Sequence, residues 1–186
     1  MKIHDSSITG ISLHPLGNYL LSCSTDKYWA FSDIVTGKTM IKVSLPANFQ
    51  LANGSTHSDE TPPLTCAKFH PDGFLFSTGT SNSIIKLWDI TNKGNIKNLH
   101  GHTGSITCLA FSENGYFLAT AAEDSLIKIW DLRKFENFKT IEFDKKYTVT
   151  IKKIFLFLSF YLFEAFNWID SWDYTHFIKH FKNMLT

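Results

Sequence analysis

Apolar and polar positions alternate along this chain in short bursts, and each burst stops at a glycine or an Asx residue. Ile8–Leu13, Leu64–Phe69 and Ile106–Phe111 read as strands with one face buried. Each is followed by a glycine-bearing turn, at Gly17, Gly73 and Gly115, and then by a second strand of apolar and small residues. The pattern places these at Tyr19–Ser24, Phe74–Thr80 and Tyr116–Ala122. A tight turn then holds Asp26, Asn82 or Asp124, residue types that bond back to the backbone and tolerate left-handed dihedrals. A third strand ends at Asp33, Asp89 or Asp131, and a weaker fourth follows, for example Phe138–Phe143. Four short strands per unit, three times over, predict an all-β chain.

The spacing of the units is regular. His14 to Asp33, His70 to Asp89 and Ser112 to Asp131 each span 20 residues. The second and third units are offset by 42 residues, and both close on Trp-Asp, at Trp88-Asp89 and Trp130-Asp131. That period and ending are those of WD-type repeats, in which each repeat supplies one four-stranded propeller blade. The expected fold is a partial WD-repeat β-propeller of about three blades, at roughly 4–46, 60–99 and 102–144 within a region 1–146. The first and second units are offset by 56, so 14 extra residues lie in Pro46–Pro63. This insertion carries His57, Asp59 and Glu60 and is expected to be a surface loop; His57 and Asp59 are candidate partner contacts.

One polar network is predicted by position. In the third unit His102, Thr120, Asp124 and Trp130 fall where WD repeats link a His, a hydroxyl, an Asp and an indole. A buried imidazole, hydroxyl and indole N–H all need partners, and a carboxylate can orient the imidazole. The second unit keeps Thr78 and Trp88, with Asn82 for Asp and Glu60 where His would stand. The first keeps His4, Ser22 and Asp26, with Ser32 in the Trp position. The reading is structural, and the third blade is expected to be the most rigid.

Composition narrows the function classes. Apolar residues make up 44% and charged residues 19%, a globular balance, and the formal net charge of +1 offers no field for a nucleic-acid backbone. The longest basic runs are Lys145-Lys146 and Lys152-Lys153, so direct nucleic-acid binding is not expected. Three cysteines without a C-x-x-C read as small buried hydrophobes in a reducing compartment. The start lacks the apolar core of a signal peptide, which points to an intracellular chain, and Asn53-Gly54-Ser55 then reads as a loop turn rather than a glycosylation site. No P-loop, Rossmann glycine pattern or nucleophile elbow occurs, and no cofactor is expected.

Several runs resemble one family more closely than WD repeats in general. They include Ile8-Thr9-Gly10-Ile11-Ser12-Leu13-His14, Leu64-Thr65-Cys66-Ala67-Lys68-Phe69-His70-Pro71-Asp72-Gly73 and Phe111-Ser112-Glu113-Asn114-Gly115-Tyr116. The strand end Tyr28-Trp29-Ala30-Phe31-Ser32-Asp33 is the most specific, because it breaks the general repeat consensus. From about residue 3 to 146 the chain resembles the pre-mRNA-processing factor 19 family. That resemblance implies a nuclear, homotetrameric ubiquitin ligase that scaffolds a spliceosome-activating complex. Its C-terminal propeller would bind partner proteins of that complex and ubiquitination substrates. The family's U-box and coiled coil are matched by no residues of this sequence, so catalysis by this stretch alone is not expected. A second reading comes from Trp130-Asp131-Leu132-Arg133, which fits the W-D-x-R box by which some WD proteins dock on cullin-ligase adaptors. That makes Arg133 a third candidate partner contact.

The pattern stops near residue 147. All 10 glycines lie at or before Gly115, and 11 of the 36 residues from Ile151 to Thr186 are aromatic. Three origins are open for the tail 147–186. It is too short in apolar core (Ile154–Phe163) for the roughly 20 residues that span a bilayer. Ala165, Ile169, Trp172 and Phe181 fit an amphipathic helix. The expectation favoured here is non-native coding such as retained intron sequence, because an exposed segment so rich in Phe is an aggregation hazard. His176, His180 and Asp173 in this tail fall short of a zinc ligand set. Three blades leave strand edges unpaired, so the isolated chain is expected to be marginal or to need a cap.

Overall fold

In the computed structural model, residues 2–44 and 61–142 are described. Every regular element among them is a strand, and the twelve strands form three antiparallel four-stranded sheets. The first blade holds β1 (Ile8–Leu13), β2 (Tyr19–Ser24), β3 (Tyr28–Asp33) and β4 (Thr39–Ser44). The second holds β5 (Leu64–Phe69), β6 (Leu75–Thr80), β7 (Ile85–Asp89) and β8 (Gly94–Leu99). The third holds β9 (Ile106–Phe111), β10 (Phe117–Ala122), β11 (Leu126–Asp131) and β12 (Glu136–Glu142). In each sheet the strands lie in chain order, the up-and-down arrangement of a propeller blade. The all-β, partial-propeller expectation holds.

Two strands begin one residue later than the alternation suggests. Phe74 and Tyr116 still belong to the preceding turns, where their N–H groups donate to Asp72 Oδ1 (2.8 Å) and Asn114 Oδ1 (3.0 Å). β12 begins earlier, at Glu136, because β11 continues to pair with it through Asp131↔Glu136. Residue 143 and the tail, the insertion with His57 and Asp59, and Glu60 lie outside the described residues.

The core lies between blades rather than within them, because a four-stranded sheet buries its faces only against its neighbours. Between the first and second blades it is aromatic. The Trp29 ring meets Phe76 edge-on with centroids 4.8 Å apart, and Phe76 stacks on Trp88 at 6.0 Å. Between the second and third it is mainly aliphatic, built on Ile85, Leu87, Leu99, Ile106, Leu109 and Leu118, with Trp130 at its side. β1, β5 and β9 are neighbours in space, so each blade's first strand lines up beside the next.

A pair of histidines fastens adjacent blades. His14 Nε2–H donates to Gly73 O of the second blade at 3.1 Å, and His70 Nε2–H donates to Gly115 O of the third at 2.9 Å. His14 Nδ1 accepts from Leu16 N, which fixes its tautomer, while His70 Nδ1 lies 3.2 Å from Asp72 N and 3.0 Å from Asp72 Oδ1. Both acceptor glycines have positive φ, and a Cβ on either would stand about 2.5 Å or less from the histidine Nε2. Glycine is therefore required twice over, for the turn and for the approach of the ring.

Candidate functional site

The antiparallel order puts the turn between the second and third strands of each blade (β2–β3, β6–β7, β10–β11) at one end. The turns on either side of it in the blade lie at the other. The two ends carry different chemistry. At the β10–β11 end of the third blade the structure brings His102, Thr120, Asp124 and Trp130 together. Trp130 Nε1–H donates to Thr120 Oγ1 at 2.9 Å, and Thr120 Oγ1 lies 2.8 Å from His102 Nε2. His102 Nδ1 lies 2.8 Å from Asp124 Oδ2. Donors can therefore run in one direction, indole to hydroxyl to imidazole to carboxylate, with every proton matched to an acceptor. Asp124 also accepts from Thr103 N (2.9 Å) and Leu126 N (3.0 Å), so it ties the entering segment to the turn.

The electrostatics fit that chain. Burial pulls the His102 imidazole below its ordinary 6.5, against the opposing pull of Asp124, which favours the neutral ring. Burial raises the Asp124 carboxyl, but the bonds from Thr103 N, His102 and Leu126 N outweigh it and hold the group below the usual range. The His102 side chain is completely buried. An imidazole with both nitrogens engaged and no access to solvent orients the chain and has no route to a substrate.

The other two blades keep parts of this arrangement. In the first, His4 Nε2 meets Ser22 Oγ at 2.8 Å, and His4 Nδ1 meets Asp26 Oδ2 at 3.0 Å. Ser32 stands where the indole would be, and its buried hydroxyl has no partner among the described residues. In the second, Trp88 Nε1–H donates to Thr78 Oγ1 at 2.9 Å, while Asn82 accepts from Thr80 Oγ1 at 2.6 Å. Burial pushes the thiols of both Cys23 and Cys66 up, Cys23 to about 11, although Cys66 and Cys108 as whole residues keep some exposure.

At the opposite end, Asp33, Asp89 and Asp131 cap the β3–β4, β7–β8 and β11–β12 turns by accepting N–H bonds from the residues two positions on. In the third blade Arg133 adds its side chain. Its Nε–H and Nη2–H donate to Asp131 Oδ1 and Oδ2 at 3.0 and 2.7 Å, and its guanidinium lies 5.1 Å from the Tyr116 ring centroid. Arg133 holds the Asp131 carboxyl down to about 2. Arg133 is thus the one candidate contact that the described residues place on the rim.

The histidine latches were not read from the sequence, although His14-Pro15 and His70-Pro71 repeat at the same place. A left-handed residue in the β2–β3, β6–β7 and β10–β11 turns was also missed: Lys27, Ser83 and Ser125 have φ of 73°, 71° and 64°.

Repeated four-stranded blades with an inward-turned His–hydroxyl–Asp–indole network, complete in the third blade and partial in the other two, define a WD-repeat protein. The family model for the WD domain, G-beta repeat, matches residues 1–30, 50–89 and 93–131, and the chain belongs to that family. Within it the chain is similar to pre-mRNA-processing factor 19. It is 52% identical to that protein of Bos taurus over 151 residues, 80% of this chain and 27% of the relative. The Caenorhabditis elegans protein of the same name is 44% identical over 93 residues, covering 50% of this chain and 17% of the relative. Pre-mRNA-processing factor 19 homolog 2 of Arabidopsis thaliana is 41% identical over 101 residues, covering 54% and 17%. The chain therefore spans about a quarter of the length of the mammalian relative.

Proposed function

We propose that this chain is a protein-recognition part of a pre-mRNA-processing factor, acting in the nucleus as a scaffold within a splicing-activating complex. Its partners are proteins of that complex and, through a ligase assembly, proteins destined for ubiquitination. The observation that carries the reading is the 52% identity to pre-mRNA-processing factor 19 across 80% of the chain. Geometry supports the same role: the His102 imidazole, the group best suited to acid–base chemistry, is completely buried and engaged on both nitrogens, by Thr120 and Asp124. What faces outward on the rim is aromatic and cationic, the composition of a protein contact.

Affinity purification of the tagged 186-residue chain from nuclear extract, read by quantitative mass spectrometry, tests this. Enrichment of splicing proteins over a tag-only control supports the proposal. Their absence, with a folded bait, overturns it.

A further inference from the structure

A groove of about 260 Å³ opens between the second and third blades at the end opposite the His102 network. Leu75, Ile96, Phe111, Tyr116, Leu132 and Phe135 line it, and Arg133 stands at its charged side. The lining histidine, His70, is engaged in the latch to Gly115.

Phe135 is the informative residue. It has φ of 57° and occupies the turn position held by Gly37 (φ 67°) in the first blade and Lys93 (φ 53°) in the second. The left-handed conformation suits glycine and penalises an aromatic residue. Here the penalty sets a large ring, 38% exposed, at the mouth of a groove beside Tyr116, which is 51% exposed. Strained residues cluster at ligand-contacting sites, and here the strained side chain is the one that lines the groove.

Arg133 supplies the polar half. Asp131 pins its fork from below, and the Tyr116 and Phe117 rings lie 5.1 and 5.5 Å from the guanidinium. Its Nη1 has no partner among the described residues, so a planar donor face is held ready for an anionic acceptor.

We propose that this groove docks an extended segment of a partner protein. That segment inserts one aromatic or large aliphatic side chain beside Tyr116 and Phe135 and lays an Asp or Glu carboxylate on Arg133. The inference rests on the protein-recognition reading above and deepens it by naming the site and the ligand chemistry. Rigid aromatic and arginine anchors around a desolvated pocket are the usual composition of binding hot spots.

The test is fluorescence anisotropy of the full 186-residue chain with fluorescein-labelled ten-residue peptide pools. One pool carries an aromatic residue followed within three positions by Asp or Glu. A second replaces the acids with Asn or Gln, and a third replaces the aromatic with Ala. The acidic aromatic pool is expected to bind at least tenfold more tightly than either other pool, and Arg133→Gln to erase the acid preference. Phe135→Gly is expected to weaken binding about tenfold while the melting temperature stays level or rises. That split separates a contact from a structural role. Equal binding of the acid and amide pools, or affinity unmoved by Phe135→Gly, overturns the proposal. If splicing proteins still co-purify in that case, the broader function stands and the groove assignment alone fails. If the pools bind as expected but no splicing protein is captured, the groove stands and the splicing assignment fails.

Discussion

The first and third blades solve the same problem with different completeness. Both fasten the segment ahead of their first strand by a histidine held between a hydroxyl and an aspartate. The third adds Trp130, so Thr120 serves two partners; the first has Ser32 in that place, and Ser22 serves His4 alone. The aromatic mass of the first blade has moved two positions past the turn, to Trp29, which packs toward the second blade against Phe76 and Trp88. The His–Asp–hydroxyl core is thus the shared part of the frame. The indole is an addition to it, present in the third blade and absent from the first.

Paired substitutions probe that difference, from the largest effect to the smallest. Thr120→Val leaves the His102 ring and the Trp130 N–H without their shared partner. It should cost about 3 kcal/mol in urea unfolding, against about 1 kcal/mol for Ser22→Ala, which orphans one group. Equal costs would mean the indole bond contributes nothing. Gly73→Ala should cost about 2 kcal/mol or more and release the His14 latch, since the new methyl meets the imidazole. Gly17→Ala has the same positive φ but open space around it, and should cost only about 1 kcal/mol. Ser32→Ala should raise stability by about 1 kcal/mol by removing a buried hydroxyl that has no partner; a loss would show that the hydroxyl is satisfied.

Acid should weaken the fold in two stages. His102 is depressed below 6.5 when folded, so below about pH 6.5 the unfolded chain takes up a proton that the folded ring resists, and stability falls as pH falls. Asp26, Asp124 and Asp131 are all depressed below 3.8 when folded. Their contribution is present above that value and is lost as pH falls further, through about 2 for Asp131. Arg133→Gln should move the Asp131 titration back toward 3.8 in a carboxyl-detected NMR titration and leave the His102 stage in place.

Strand positions were legible because period-two alternation and turn residues are local signals: Ile8–Leu13, Leu64–Phe69 and Ile106–Phe111 needed only six residues each to declare themselves. The spacing of His102, Thr120, Asp124 and Trp130 was legible because the repeat fixes it. The latches were not, since His14 and Gly73 lie 59 residues apart and meet only through blade packing. The groove needed two blades to exist, and no single unit carries its pattern. The left-handed Phe135 was within reach, because laying its turn beside Gly37 shows the mismatch. The Asp131 partner of Arg133 sat two residues away, inside the very box that drew attention to the arginine.

The central claim is that the polar network is frame and the rim between the second and third blades is where partners bind. The direct measurement compares Thr120→Val with Phe135→Gly in the full chain, reading the melting temperature and the capture of splicing proteins side by side. The account predicts a lower melt with unchanged capture for Thr120→Val below its melt, and an unchanged or higher melt with reduced capture for Phe135→Gly. Lost capture by a stably folded Thr120→Val chain, with Phe135→Gly binding normally, would contradict it.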